Sequence, residues 1–245
     1  MSTELRTLRH DGGGDSLLVL LPGAYMTPEH FVENGFFADV SVRHLKLDIV
    51  AVDLGLDAVS SGDALPAVIE QIVVPARSKY RQVWLGGISL GGLLALGLNA
   101  DHPGLVDGLC LIAPYPGSRL TTNAIKRAGG LEVWEPTEID LTDPEFRAYR
   151  WLKAPPAGFP VFVGYGTEDR FAEGMQAIAE RFRTEVAALT GLNRETFTIS
   201  ERHLKQYEND APDYPAPHKD RGASKFSIGL PVYLGPETSV CVFPT

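Results

Sequence analysis

Gln82-Val83-Trp84-Leu85-Gly86-Gly87-Ile88-Ser89-Leu90-Gly91-Gly92-Leu93-Leu94-Ala95-Leu96 is the stretch that decides the fold. Its first four residues read as a short buried strand, and the run from Gly92 to Leu98 reads as a buried helix. Between them stands Gly87-Ile88-Ser89-Leu90-Gly91, a G-x-S-x-G pattern. A sharp strand-to-helix turn there lifts one hydroxyl above the edge of a sheet. The flanking glycines are needed because the turn brings backbones together and leaves no room for a Cβ. In a chain with 25 glycines the five letters carry little weight alone, and a glycine-rich turn with an exposed serine is the plain alternative. The strand before and the helix after favour a chemical role.

Outward from this turn, strands alternate with helices. Leu17–Leu21 is an apolar run ended by Pro22-Gly23, a strand and its turn. Residues 28–44 read as helical or mixed, and 45–52 as the next strand. Over 64–80, Leu65, Val68, Ile69 and Ile72 share one helix face. The helix after Ser89 closes at Asp101-His102-Pro103-Gly104. Leu109–Ala113 and Val161–Val163 read as further strands. Met175, Ile178, Phe182, Val186 and Leu189 recur at steps of three and four, which predicts an amphipathic helix over 171–190. Thr196–Ile199 is the last clear strand.

This alternation predicts an α/β fold with a mostly parallel central sheet flanked by helices. Apolar strands without a polar face agree, since both faces of such a sheet are covered. The gap between the strands at 109–113 and 161–163 reads as a small cap insertion, about 115–158, at the carboxyl edge of the sheet. Its Tyr115, Trp134, Tyr149 and Trp151 suit an apolar substrate face or ordinary core packing.

Composition narrows the function classes. At 245 residues and 44% hydrophobic content, the chain supports one sizeable core. A net charge of −9 argues against nucleic acid and anionic membrane surfaces as partners. No apolar run approaches the ~20 residues that span a bilayer. The first residues lack the charged-then-apolar layout of a signal peptide, so a cytoplasmic protein is expected. Cys110 and Cys241 make no disulfide framework, and Cys110 reads as a small core residue. The fold is expected over 1–205. Beyond it, 206–245 lacks helical patterning and reads as an atypical tail, as a divergent extension or an altered reading frame after about residue 200 would produce.

A serine hydroxyl is a poor nucleophile until a base takes its proton, and the base needs an acid to hold its tautomer. Asp169, in the loop after the strand at 161–163, is the candidate acid, with Glu168 beside it as the alternative. A helix N-cap or a solvated loop acid is the bland role for Asp169. Of six histidines, His10 precedes the first expected strand, His30 and His44 sit by expected helices, and His102 ends a helix where a cation suits the dipole. Only His203 and His218 follow Asp169. His203 lies just past the strand at 196–199, and His218 lies in a proline-rich run; both stay open as the base. Two backbone N–H groups are needed for a developing oxyanion, and Leu90 and Ala24 are the candidates, with Tyr25 next after Ala24.

Taken together, Leu20-Leu21-Pro22-Gly23, Gly87-Ile88-Ser89-Leu90-Gly91, Gly166-Thr167-Glu168-Asp169 and the strand before His203 resemble an α/β-hydrolase. The resemblance implies a chain that starts near the third of the usual eight strands. It implies hydrolysis of small-molecule carboxylic esters or thioesters through an acyl-enzyme, with no metal or organic cofactor. Ser89 would be the nucleophile, His203 the base and Asp169 its orienter. Glu201-Arg202 stand where the family often has glycines before the histidine, and no closing helix follows. A carboxylesterase is therefore the first expectation. A thioesterase or acyltransferase with the same residues, and a binding module with impaired catalysis, are the alternatives.

Overall fold

The computed structural model describes residues 4–156, 158–166 and 169–179. Apolar runs become the strands β1 (Thr7–His10), β2 (Ser16–Leu21), β3 (Leu47–Val52), β4 (Gln82–Ile88), β5 (Gly108–Ile112) and β6 (Val161–Gly164). They form one sheet in the order β1-β3-β2-β4-β5-β6. Every neighbouring pair is parallel except β1 with β3, where His10 lies opposite Ile49. The sheet is mostly parallel, as expected, with one antiparallel edge strand that the sequence reading lacked. His10 thus belongs to a strand.

The helices are α1 (Pro28–Glu33), α2 (Phe36–Val42), α3 (Leu56–Ser61), α4 (Ala64–Val68), α5 (Val74–Lys79), α6 (Leu90–Asp101), α7 (Arg119–Ala128) and α8 (Pro144–Lys153). A further helix covers 172–179. They lie on both faces because β2 alternates: Leu17, Val19 and Leu21 join one apolar cluster, Leu20 the other. The larger cluster takes Val68, Ile72 and Ala76 of the 64–79 segment, Ala95, Leu96 and Leu98 of α6, and Trp134, Phe146, Tyr149 and Leu152 of the 115–158 insertion. Three of the insertion's four aromatic residues singled out by sequence, Trp134, Tyr149 and Trp151, are in or against that core. The second cluster sets Phe31 of α1 and Val40 of α2 on the opposite face.

Between α4 and α5 the helix widens into a π turn, Ile69–Val73. Pro75 has no N–H for the Gln71 carbonyl and its ring crowds that carbonyl, so a wider turn accommodates it. Ile72 and Val73 stay buried while Val74 is half exposed.

The amino ends of the strands are tied by buried or half-buried carboxylates. Asp48 Oδ1 accepts from Gly12 N (2.9 Å) and Gly13 N (3.1 Å), and Oδ2 accepts from Tyr80 OH (2.6 Å). Burial alone would raise this carboxyl, but the bonds donated by Tyr80 and the glycine amides outweigh it and hold it below its usual range. Asp107 Oδ2 accepts from Val83 N (2.7 Å) and from Arg77.

No helix among the described residues is long and apolar enough to cross a membrane. Glu168, His203, His218, the strand expected at 196–199, the second half of the 171–190 helix and the 206–245 tail lie outside the described residues.

Candidate active site

Ser89 stands at the carboxyl end of β4, in the centre of the sheet, as the first residue of the turn into α6. Its backbone has φ 50° and ψ −114°, a conformation that side chains rarely adopt. Neighbouring backbone fixes it there. Ser89 N donates to Ile112 O at the end of β5 (3.0 Å). Ser89 O accepts from Gly92 N (2.9 Å), Leu93 N (3.3 Å) and Tyr115 N (2.8 Å). The hydroxyl makes no capping bond to the helix it opens.

The glycines are explained by distance. A Cβ on Gly87 would lie 2.2 Å from Gly91 O, and one on Gly91 would lie 2.3 Å from Leu21 O and 2.6 Å from Pro22 O. The end of β2 therefore runs directly beside the serine turn. It leads into a turn closed by Met26 N donating to Gly23 O (3.0 Å), with Tyr25 at φ 64°. Ala24, exposed, lies in this turn. Leu90 opens α6, so helical geometry gives its N–H no acceptor within the helix. The structure thus brings Ser89, Leu90 and the Ala24 turn to one edge of the sheet.

Asp169 is on the same edge. β5 separates its strand, β6, from β4. Asp169 N donates to Gly166 O (3.1 Å), and Asp169 Oδ1 accepts from Phe171 N (2.8 Å) just before the 172–179 helix. One oxygen thus serves the turn that precedes this helix. The other, Oδ2, makes no hydrogen bond among the described residues. Asp169 is half-buried.

The four described histidines serve other ends. His10 lies at the amino edge, its ring 5.7 Å from that of Phe37. His30 Nδ1 accepts from Thr27 N (2.9 Å) and completes the capping box of α1. His44, at φ 52°, turns the chain before β3. His102 caps the far end of α6, ~18 Å from Ser89 along a 12-residue helix.

Sequence reasoning overlooked one part of this edge. Ala113-Pro114-Tyr115-Pro116-Gly117 leaves β5 with Ala113 at φ 42° and Gly117 at φ 85°. Ala113 N donates to Gly164 O (2.6 Å). The Tyr115 ring meets Phe171 edge-on, centroids 5.2 Å apart. Pro-x-Pro-Gly directly after a strand was the available signal, a rigid turn.

A family model described as "Alpha/beta hydrolase family" matches residues 18–234, a span that includes Ser89, Asp169, His203 and His218. No curated protein matches the chain significantly. Among solved structures, a hormone-sensitive lipase from a metagenome library is 14% identical, with 74% of this chain and 67% of that one covered and a TM-score of 0.49. A monoacylglycerol lipase from Paleococcus ferrophilus is 15% identical, with 73% and 84% covered and a TM-score of 0.49. The sheet order, the serine turn and above all the extent of the family match place the chain: it belongs to the alpha/beta hydrolase family.

Proposed function

We propose that the chain is a serine hydrolase that cleaves a small carboxylic ester through an acyl-enzyme. The backbone of Ser89 carries this reading: it is held at φ 50° by hydrogen bonds with Ile112 O at the end of β5, Tyr115 N and the first turn of α6, beside the Gly23–Met26 turn. Strained backbone at the carboxyl edge of a parallel sheet is where this chemistry needs a nucleophile.

On this reading Ser89 Oγ attacks the ester carbonyl while an imidazole takes its proton. His10 and His44 lie at the amino edge, His102 lies at the far end of α6 and His30 Nδ1 accepts from Thr27 N, which supports a base from later in the chain, His203 or, in its place, His218. Asp169 orients that imidazole through Oδ2. The N–H groups of Leu90 and Ala24 receive the oxyanion. The tetrahedral intermediate collapses, and the departing alkoxide takes the proton from the imidazolium and leaves as an alcohol. Water then attacks the acyl carbonyl by the same route and releases the carboxylic acid and free Ser89. No step calls for a metal or an organic cofactor.

The test is hydrolysis of p-nitrophenyl acetate and butyrate, together with labelling by a fluorophosphonate. Wild type should turn over the esters and carry the label on Ser89. Ser89→Ala should do neither, and His203→Ala and His218→Ala identify the base. A wild type no faster than Ser89→Ala overturns the reading. Faster turnover of the matching acyl thioesters moves the assignment to a thioesterase that uses the same residues.

A further inference from the structure

The Ala113–Gly117 strap lies between the two elements that carry the proposed nucleophile and acid. On one side, a Cβ on Gly92 of α6 would lie 2.8 Å from Pro114 Cβ. On the other, a Cβ on Gly174 of the 172–179 helix would lie 2.5 Å from Pro116 Cβ. Two prolines thus seat against two bare backbone windows, one on each helix. Tyr115 joins them at the centre. Its N–H holds Ser89 O, and its ring packs edge-on against Phe171, whose own N–H holds Asp169 Oδ1.

The strap is itself clamped from the insertion. Tyr149 OH donates to Pro116 O (2.7 Å). Glu145 Oε2 accepts from Ser118 N (2.8 Å) and Thr121 Oγ1 (2.7 Å). Proline rings, fixed φ angles and a double clamp leave Tyr115 little freedom. They fix a backbone N–H on the Ser89 turn and a ring on Phe171 within one residue.

We propose that Tyr115 is a positioning residue of the hydrolytic site, setting the Asp169 loop against the Ser89 turn. This rests on the serine-hydrolase reading. A ring that sets the acid loop acts on the orientation of the imidazole, not on the affinity for ester. An imidazole that loses its carboxylate partner is a weaker base, so its ionisation moves to lower pH.

The experiment compares wild type with Tyr115→Ala, Tyr115→Phe and Gly174→Ala, on p-nitrophenyl butyrate and by fluorophosphonate labelling. Tyr115→Ala should lower kcat by about 10- to 100-fold with KM nearly unchanged, the loss expected for a small misplacement. The acid limb of its kcat/KM profile should move to lower pH. Tyr115→Phe keeps the ring and should restore both kcat and the limb. Gly174→Ala, which keeps Tyr115 but displaces Pro116, should repeat the Tyr115→Ala pattern; it decides the matter if Tyr115→Ala does not fold. A rise in KM alone, with kcat and the limb unmoved, makes Tyr115 a substrate wall and overturns the proposal, as does wild-type behaviour of Tyr115→Ala. Failure of wild type to label at Ser89 defeats the hydrolase reading itself, which separates the two failures.

Discussion

The two edges of the sheet are built on opposite principles. At the amino edge, backbone N–H groups are collected by carboxylates: Asp48 takes Gly12 and Gly13, and Asp107 takes Val83. Of the positive-φ non-glycine residues described, only His44 lies on this side, in the turn before β3. At the carboxyl edge, Tyr25, Ser89 and Ala113 all have positive φ, three of the four such non-glycine residues described. Conformational strain of this kind costs of order 1–3 kcal/mol per residue and persists only where the surroundings over-determine it. One edge stabilises the molecule, and the other holds a geometry that stability alone would not select.

Ser89→Ala is the sharpest test of this division. It should lower kcat by a factor on the order of 10⁴ or more, while the thermal midpoint stays near that of wild type. A large loss of stability would break the comparison, because the serine would then be a structural residue. Gly91→Ala comes next. Its Cβ would meet Leu21 O at 2.3 Å, so urea denaturation should report a loss of about 3 kcal/mol, and activity should fall with the distorted turn.

At the opposite edge, Asp48→Ala strips the acceptor from Gly12, Gly13 and Tyr80. It should destabilise by about 2 kcal/mol in urea, with kcat per folded molecule unchanged. Reduced kcat would mean the two edges are not independent. The same group sets a pH dependence. Its carboxyl is held low in the folded chain, so its contribution is complete above the unfolded value of about 3.9 and fades as pH falls through the lower folded value. Denaturation curves of wild type and Asp48→Asn should therefore converge as the pH falls below about 4. Ala113→Gly has the smallest expected effect. Relief of positive φ and the added chain entropy of glycine nearly cancel, for a net change under about 1 kcal/mol in thermal denaturation.

What was legible in the sequence followed from burial. β4 and α6 are apolar on every side, so their nature survives any context, and the glycines between them leave one way to connect them. β1 escaped notice because Thr7-Leu8-Arg9-His10 is a short edge strand, half solvated, with no apolar run to mark it. α8, inside the 115–158 insertion, carries a start signal in Asp143, which accepts from Glu145 N at 2.8 Å, followed by Pro144. The π turn followed from Pro75 in an otherwise regular periodicity, a local constraint whose structural answer periodicity does not specify. At the candidate site, the turns at Ser89 and Ala24 were readable because glycine and proline mark backbone geometry. The contacts of Tyr115 were not, since its backbone and ring meet segments distant in the chain.

The carbonyl of residue 89 accepts three N–H groups while its hydroxyl caps nothing. The main chain alone therefore maintains the bend, and the side chain is dispensable to the architecture. On the serine-hydrolase proposal, an alanine at that position yields an intact but silent receptor, suited to co-crystallisation with the uncleaved ester.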